Sequence, residues 1–297
     1  MRRGKDERSM EVNSKKKESM QEIMERLDAG VLAVYTSENY TNFLKMMGMF
    51  HQYSFRNVIL ILSQCPTASR VASFQTWKRL GCSVRKGEHG IRILVPIPYT
   101  YQKKQKTVDD EGNALTETVD AKGLTFRVGC VFDAQQVDGE LPSLCRELTD
   151  DSEALKKAVA RIIDENDDIS YDDSLREGGA NGYYRVDTKE IRIRPHMTAM
   201  QSLKTLLHEK SHSMLHNAEA ETRFSREEAE VQAESCAYVV CQAFGLDSSD
   251  YSFPYIAGWQ GKDMDTLRAS LSVIEKTAKE LMGWLCQHTD LTLEAAV

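Results

Sequence analysis

No stretch of this 297-residue chain is apolar for long enough to cross a bilayer. The opening residues, Met1-Arg2-Arg3-Gly4-Lys5-Asp6-Glu7, are charged where a secretory leader would carry an apolar core. Both absences lead to the expectation of a cytoplasmic protein with no membrane partner. The seven cysteines, at 65, 82, 130, 145, 236, 241 and 286, are odd in number and form no Cys-x-x-Cys pair. That disfavours a disulfide frame or a cysteine zinc knuckle and points to reduced, buried thiols. No internal repeat is visible, so a solenoid is not expected.

What is present is the composition of a folded chain, 41% hydrophobic and 28% charged, long enough for two domains with a core each. The net charge of -7 conceals an asymmetry. Residues 1–149 hold 22 Lys and Arg against 18 Asp and Glu, while residues 150–297 hold 16 against 27. Between 45 and 106 there are eleven basic residues and one acidic residue, Glu88. Such a local excess of positive charge in an acidic protein asks for a polyanion.

In chain order, residues 1–28 read as a flexible charged arm containing a helix from about Ser14 to Leu27. The apolar positions between Tyr40 and Leu62 predict two short helices broken near His51-Gln52-Tyr53-Ser54, with Ser54 able to cap the second. Ser73–Leu80 makes a third, stopped by Gly81. Strands follow at 83–85 and 91–96 around the Lys86-Gly87 turn, and 126–133 returns after a long hairpin connection at 100–123. The acidic stretch Thr149-Asp150-Asp151-Ser152 marks a linker, giving domains at 29–148 and 149–297. The second opens with a helix at 153–165. A hairpin of 182–187 and 190–194 follows, whose second strand is expected to lie beside the next helix and offer an edge to an extended peptide. Helices close the chain at 226–244 and 262–286. The fold class is therefore α+β.

The chain's chemistry concentrates in Leu203–His216, where His208-Glu209-Lys210-Ser211-His212 lies in a run of helical apolar spacing. At 3.6 residues per turn His208 and His212 project from one face and can grip one metal ion. Glu209 is rotated away from them toward a water beside the metal. A catalytic zinc wants three protein ligands. Glu230, on a second helix returning antiparallel, supplies the third, and Glu234, one turn on, can accept the far N–H of a ligating histidine. A solvated acidic face is the competing reading of these two glutamates.

These residues carry a resemblance. Tyr53-Ser54-Phe55-Arg56-Asn57, Ser73-Phe74-Gln75-Thr76-Trp77, Val84-Arg85-Lys86-Gly87-Glu88 and Val131-Phe132-Asp133 resemble the N-terminal single-stranded-DNA-binding domain of ArdC-type antirestriction proteins. Residues 150–297 resemble the metallopeptidase half of the same proteins, related to the ImmA/IrrE peptidases and more distantly to thermolysin-like zincins. The resemblance implies an N-terminal α+β DNA-binding domain followed by a mostly helical zincin-like domain with a small β-sheet. It also implies Glu230 as third zinc ligand, in Glu230-Val231-Gln232-Ala233-Glu234. Family members usually carry an apolar residue where Lys210 stands.

The expected activity is zinc-dependent peptide hydrolysis, with Zn2+ as Lewis acid and Glu209 as general base. Tyr183, Tyr184, His216 and Tyr238 are candidate oxyanion donors, His216 equally a helix-end cation. The expected partners are single-stranded DNA and an unidentified protein or peptide substrate. For DNA the candidates are Arg56, Trp77, Lys78, Arg85, Lys86, His89 and Arg92, the cations tracking phosphates. Trp77 either stacks on a base or belongs to the core, and Phe74, Tyr53 and Tyr99 are further stacking candidates. Two rival readings stand beside this: a DNA-binding protein whose zinc is structural, and a peptidase whose basic half recognises an acidic protein.

Overall fold

Short polar caps start most of the helices. In a computed structural model describing residues 19–35, 37–108, 114–141, 151–217, 225–246, 253 and 262–293, Ser19, Ser54, Ser73, Ser152, Thr198, Ser225 and Asp263 each accept a backbone N–H in a first helical turn. The helices are α1 (Met20–Val34), α2 (Ser37–Met49), α3 (Phe55–Gln64), α4 (Phe74–Arg79), α5 (Glu153–Glu165), α6 (Ala199–Leu215), α7 (Arg226–Ala243) and α8 (Met264–His288). The strands are β1 (Val71–Ala72), β2 (Ser83–Val84), β3 (Ile91–Val108), β4 (Ala114–Asp133), β5 (Val137–Asp138), β6 (Ile169–Tyr171), β7 (Gly182–Arg185) and β8 (Glu190–Ile193). This mixed α+β architecture is about half helical.

Three differences from the sequence expectations have physical causes. Helix α1 begins at Met20, where Ser19 and Glu22 form a reciprocal capping box, while the expected start near Ser14 lies outside the described residues. Ile23, Leu27, Val31 and Val34 give it a buried stripe, so residues 20–28 are packed and not part of a loose arm; residues 1–18 lie outside the described residues. The expected loop at 100–123 is instead a β-ribbon. β3 and β4 pair antiparallel through 18 registered positions, from Ile91↔Val131 to Val108↔Ala114, roughly 60 Å at ~3.4 Å per residue. Its outer half carries Lys103, Lys104 and Tyr101 rather than apolar alternation, so period-two hydrophobicity could not announce it. Thirdly, β8 is not an edge. It sits between β6, which it joins in parallel, and β7, which it joins antiparallel, so among the described residues β6 and β7 are the two edge strands.

One hydrophobic core runs through helices from both ends of the chain. Tyr40 of α2 puts its hydroxyl 2.8 Å from Ser235 Oγ of α7, and its ring stands edge-on to Phe253 at 5.4 Å. The Tyr35 hydroxyl donates to the Leu267 carbonyl of α8 at 2.9 Å. α2 and α7 approach so closely at Gly48 that an added Cβ would lie 2.6 Å from the Val239 carbonyl and 2.4 Å from Gln242 Cβ. Gly48→Ala should therefore destabilise the whole chain by about 1–3 kcal/mol through overpacking, read as a lowered midpoint in urea unfolding. An unchanged midpoint would mean that the two helices separate at little cost.

Candidate metal centre

Helix α6 buries almost all of its first three turns: Leu203, Leu206 and Leu207 are fully enclosed, and Ser211 returns its hydroxyl to the Leu207 carbonyl at 2.7 Å. That burial fixes which face meets α7. His208 and His212 emerge there one turn apart, their Nε2 atoms 3.2 Å from each other. Across from them, Glu230 Oε2 lies 3.5 Å from His208 Nε2 and 3.6 Å from His212 Nε2. Tetrahedral coordination with bonds of about 2.0–2.1 Å requires donor atoms about 3.3 Å apart, so this triangle fits a divalent ion. It is the group of potential ligands found among the described residues.

The hydrogen bonds behind the triangle favour the same use. His208 Nδ1–H donates to Glu234 Oε2 at 2.8 Å, which turns Nε2 inward, toward Glu230 and His212. Burial pulls the His208 pKa down, but Glu230 and Glu234 outweigh it and hold it up at about 10 in the metal-free protein. The imidazoles of His208 and His212 beside it push Glu230 well below the usual carboxylate range. A divalent ion binding there would take the place of the proton that these carboxylates hold on His208.

Glu209, only 8% exposed, lines a cleft of about 300 Å³ together with Asn181, Gly182, Gln201, Lys204, Thr205, His208 and Glu234. Burial raises its pKa, partly offset by His208, His212 and the backbone N–H of Tyr184. β7 can come this near because residue 182 is glycine: a Cβ there would stand 2.6 Å from Thr205 Cγ2 and 2.9 Å from the Arg192 carbonyl. Sequence reading missed Gly182, Asn181 and Lys204. A glycine opening a strand was the available signal for close approach, whereas a lysine mid-helix gave none.

The oxyanion candidates disperse. The Tyr183 hydroxyl donates to Asp172 Oδ2 at 2.8 Å, Tyr238 is buried against Phe253, and the Tyr184 backbone N–H donates to Glu209. His216 caps α6, and burial lowers its pKa, so it is not a helix-end cation. Lys210 lies over the Trp284 ring at 5.3 Å with Asp168 3.9 Å away, so its stem packs where an apolar side chain would.

The proposed DNA contacts also divide. Trp77 is fully buried and its indole N–H donates to the Phe132 carbonyl at 2.9 Å; it is core and has no face to offer a base. Arg85 is spent on structure, bridging Glu88 at 3.1 Å, Asp138 at 3.6 Å and the Gln135 and Val137 carbonyls. Arg92 is half-buried against Cys130. Lys78, Lys86 and His89 are exposed around α4 and the β2 turn, while Arg56 stands apart at the start of α3, in a groove it shares with Leu124, Phe126 and Lys279. Phe74 is 54% exposed and Tyr99 49%.

The fold and site together describe a mixed α+β protein with a two-histidine, one-carboxylate centre between two packed helices. Residues 13–132 match the model of the N-terminal domain of anti-restriction factor ArdC. A Bacillus anthracis protein described as uncharacterized is 27% identical over 306 residues, covering 90% of this chain and 51% of its own; the chain spans about half the length of that curated relative. The fold is similar to the metal-free crystal structure of antirestriction ArdC protein from the R388 plasmid, with a TM-score of 0.51 at 21% identity over 91% of this chain and 98% of that one. An Mn(II)-bound structure of the same plasmid protein aligns with a TM-score of 0.49 at 21% identity, over 90% and 97% of the two chains. Among the described residues no helix is long and apolar enough to cross a membrane, and the six described cysteines are free.

The hydrogen bond from His208 to Glu234 gives a direct test. Glu234→Ala should weaken divalent-metal affinity roughly tenfold to a hundredfold, measured by chelator competition, and His212→Ala should abolish stoichiometric binding. Metal retained one-to-one by His212→Ala would remove the centre as drawn.

Proposed function

We propose that this chain is a DNA-associated metallopeptidase of the antirestriction type. In this reading His208, His212 and Glu230 hold zinc, Glu209 is the general base, and the N-terminal half holds single-stranded DNA. The observation that supports it best is the pairing of a converged ligand triangle with a buried carboxylate, Glu209, at the adjacent cleft. A purely structural metal would need no such carboxylate. The match of residues 13–132 to the ArdC N-terminal model supports the DNA-binding part.

The ion, when bound, supplies a Lewis acid beside the cleft. The protein's own groups do the rest. Glu209 takes the proton of the attacking water on a carboxylate oxygen and passes it to the leaving amine nitrogen. The Tyr184 N–H holds that carboxylate in place, and β7 offers its outer edge to an extended peptide. Single-stranded DNA would meet Lys78, Lys86 and His89, with exposed Phe74 beside them to stack.

Two outcomes check the reading. Glu209→Gln should keep metal, fold and DNA binding while losing peptide hydrolysis by several orders of magnitude; full activity in Glu209→Gln would leave only the binding role. For DNA, the full-length chain should lose affinity steeply as salt rises, and Lys78→Glu with Lys86→Glu should weaken binding for all sequences alike. A flat salt response in a titration of fluorescent oligonucleotide would assign the basic surface to another partner.

A further inference from the structure

Behind His212 the hydrogen bonds run on to a residue outside the ligand set. His212 Nδ1 lies 2.9 Å from His216 Nδ1, and His216 Nε2 lies 3.1 Å from Gln232 Oε1. Gln232 is on α7 between Glu230 and Glu234, is fully buried, and leaves its Nε2 without a partner among the described residues. A neutral imidazole has one N–H and one lone pair, so two facing Nδ1 atoms need opposite assignments.

The whole chain therefore has two consistent settings. In the first, the Gln232 oxygen accepts His216 Nε2–H, His216 Nδ1 carries the lone pair, and His212 Nδ1–H donates to it. His212 Nε2 then faces Glu230 and His208 with a free lone pair. In the second, the Gln232 amide is turned, its NH2 donates to His216 Nε2, and every proton moves over. His212 then carries its proton on Nε2, where the metal belongs, and cannot bind it.

We propose that Gln232 is a positioning residue for the metal centre, acting through His216 to keep His212 in its metal-binding tautomer. This rests on the proposed metal centre and adds to it a determinant two residues away from any ligand. The orphaned Nε2 fits the assignment: the buried site makes use of the amide oxygen and gives the amide nitrogen nothing. Loss of the acceptor removes what holds the proton on His216 Nε2, and Glu230 Oε2, 3.6 Å from His212 Nε2, then favours the opposite tautomer, with the proton on His212 Nε2.

The experiment is a Zn2+ titration of full-length protein against a chromophoric chelator at mildly alkaline pH, with wild type, Gln232→Leu and Gln232→Glu. Leu removes the acceptor at similar volume, and an ionised Glu can only accept. Gln232→Leu should bind zinc roughly tenfold to a hundredfold more weakly, and Gln232→Glu within a few-fold of wild type or tighter. Equal affinity in Gln232→Leu, or equal weakening in both variants, would overturn the proposal, the second result indicating simple packing. Should Gln232→Leu fail to fold, long-range proton–nitrogen correlation spectra of zinc-free wild type read the tautomer directly: a proton on His216 Nε2 supports the inference and one on Nδ1 ends it. Absence of zinc binding by wild type would bring down the metal centre itself, whereas tight wild-type binding with an indifferent Gln232→Leu removes Gln232's role alone.

Discussion

The register between α6 and α7 is the constraint on which the site depends. His208 and His212 are one turn apart on α6, and Glu230 and Glu234 one turn apart on α7, so both pairs face each other only if the two helices slide into a single alignment. Burial enforces it. Val231, Ala233, Ser235 and Cys236 are enclosed on α7, as Leu203, Leu206 and Leu207 are on α6, and shifting either helix by a turn would expose part of each set. Electrostatics then completes what packing begins, since in the metal-free protein Glu230 and His208 hold one another charged.

The site was legible in the sequence wherever helical periodicity alone decides position. His208, Glu209, His212, Glu230 and Glu234 arrive together as their spacing requires, because i and i+4 on a rigid helix leave little freedom. Local caps were legible for the same reason: Ser54 at α3 and the glutamate-serine box at α7 are set within four residues. What failed were readings that depend on partners distant in the chain. The strand beside the site was taken as β8 from sequence adjacency, yet β6, outside the hairpin, occupies its other side. In the sequence Trp77 stands between stacking and core, and Arg85 reads as a DNA contact. The Phe132 carbonyl takes the Trp77 indole N–H, and the 135–138 segment ties down an Arg85 that is still exposed, partners that come fifty or more residues later in the chain.

The two ends of the chain meet in one core, with α2 against the back of α7. Ser235, which receives the Tyr40 hydroxyl contact, directly follows Glu234, the hydrogen-bond partner of His208. The helix that orients the metal ligands is therefore buttressed by the half of the chain to which nucleic-acid binding is assigned, and a functional division near residue 149 would not coincide with a break in packing.

That arrangement also has a temporal side. Tyr40 and Ser235 are 195 residues apart in sequence, so α2 leaves the ribosome long before the surface that covers it exists. At synthesis rates of about 5–20 residues per second, the interval is roughly 10–40 s. Throughout it Phe43, Leu44 and Met47, all buried in the finished molecule, have α1 and α3 for company but no α7. Contacts of such long sequence separation carry a high loop-closure cost and form late. The metal helix pair is local in sequence, while its docking onto α2 has to wait until α7, ending at Ala243, has been made. A nascent protein stalled before residue 226 would display an uncovered apolar helix, the kind of surface chaperones hold.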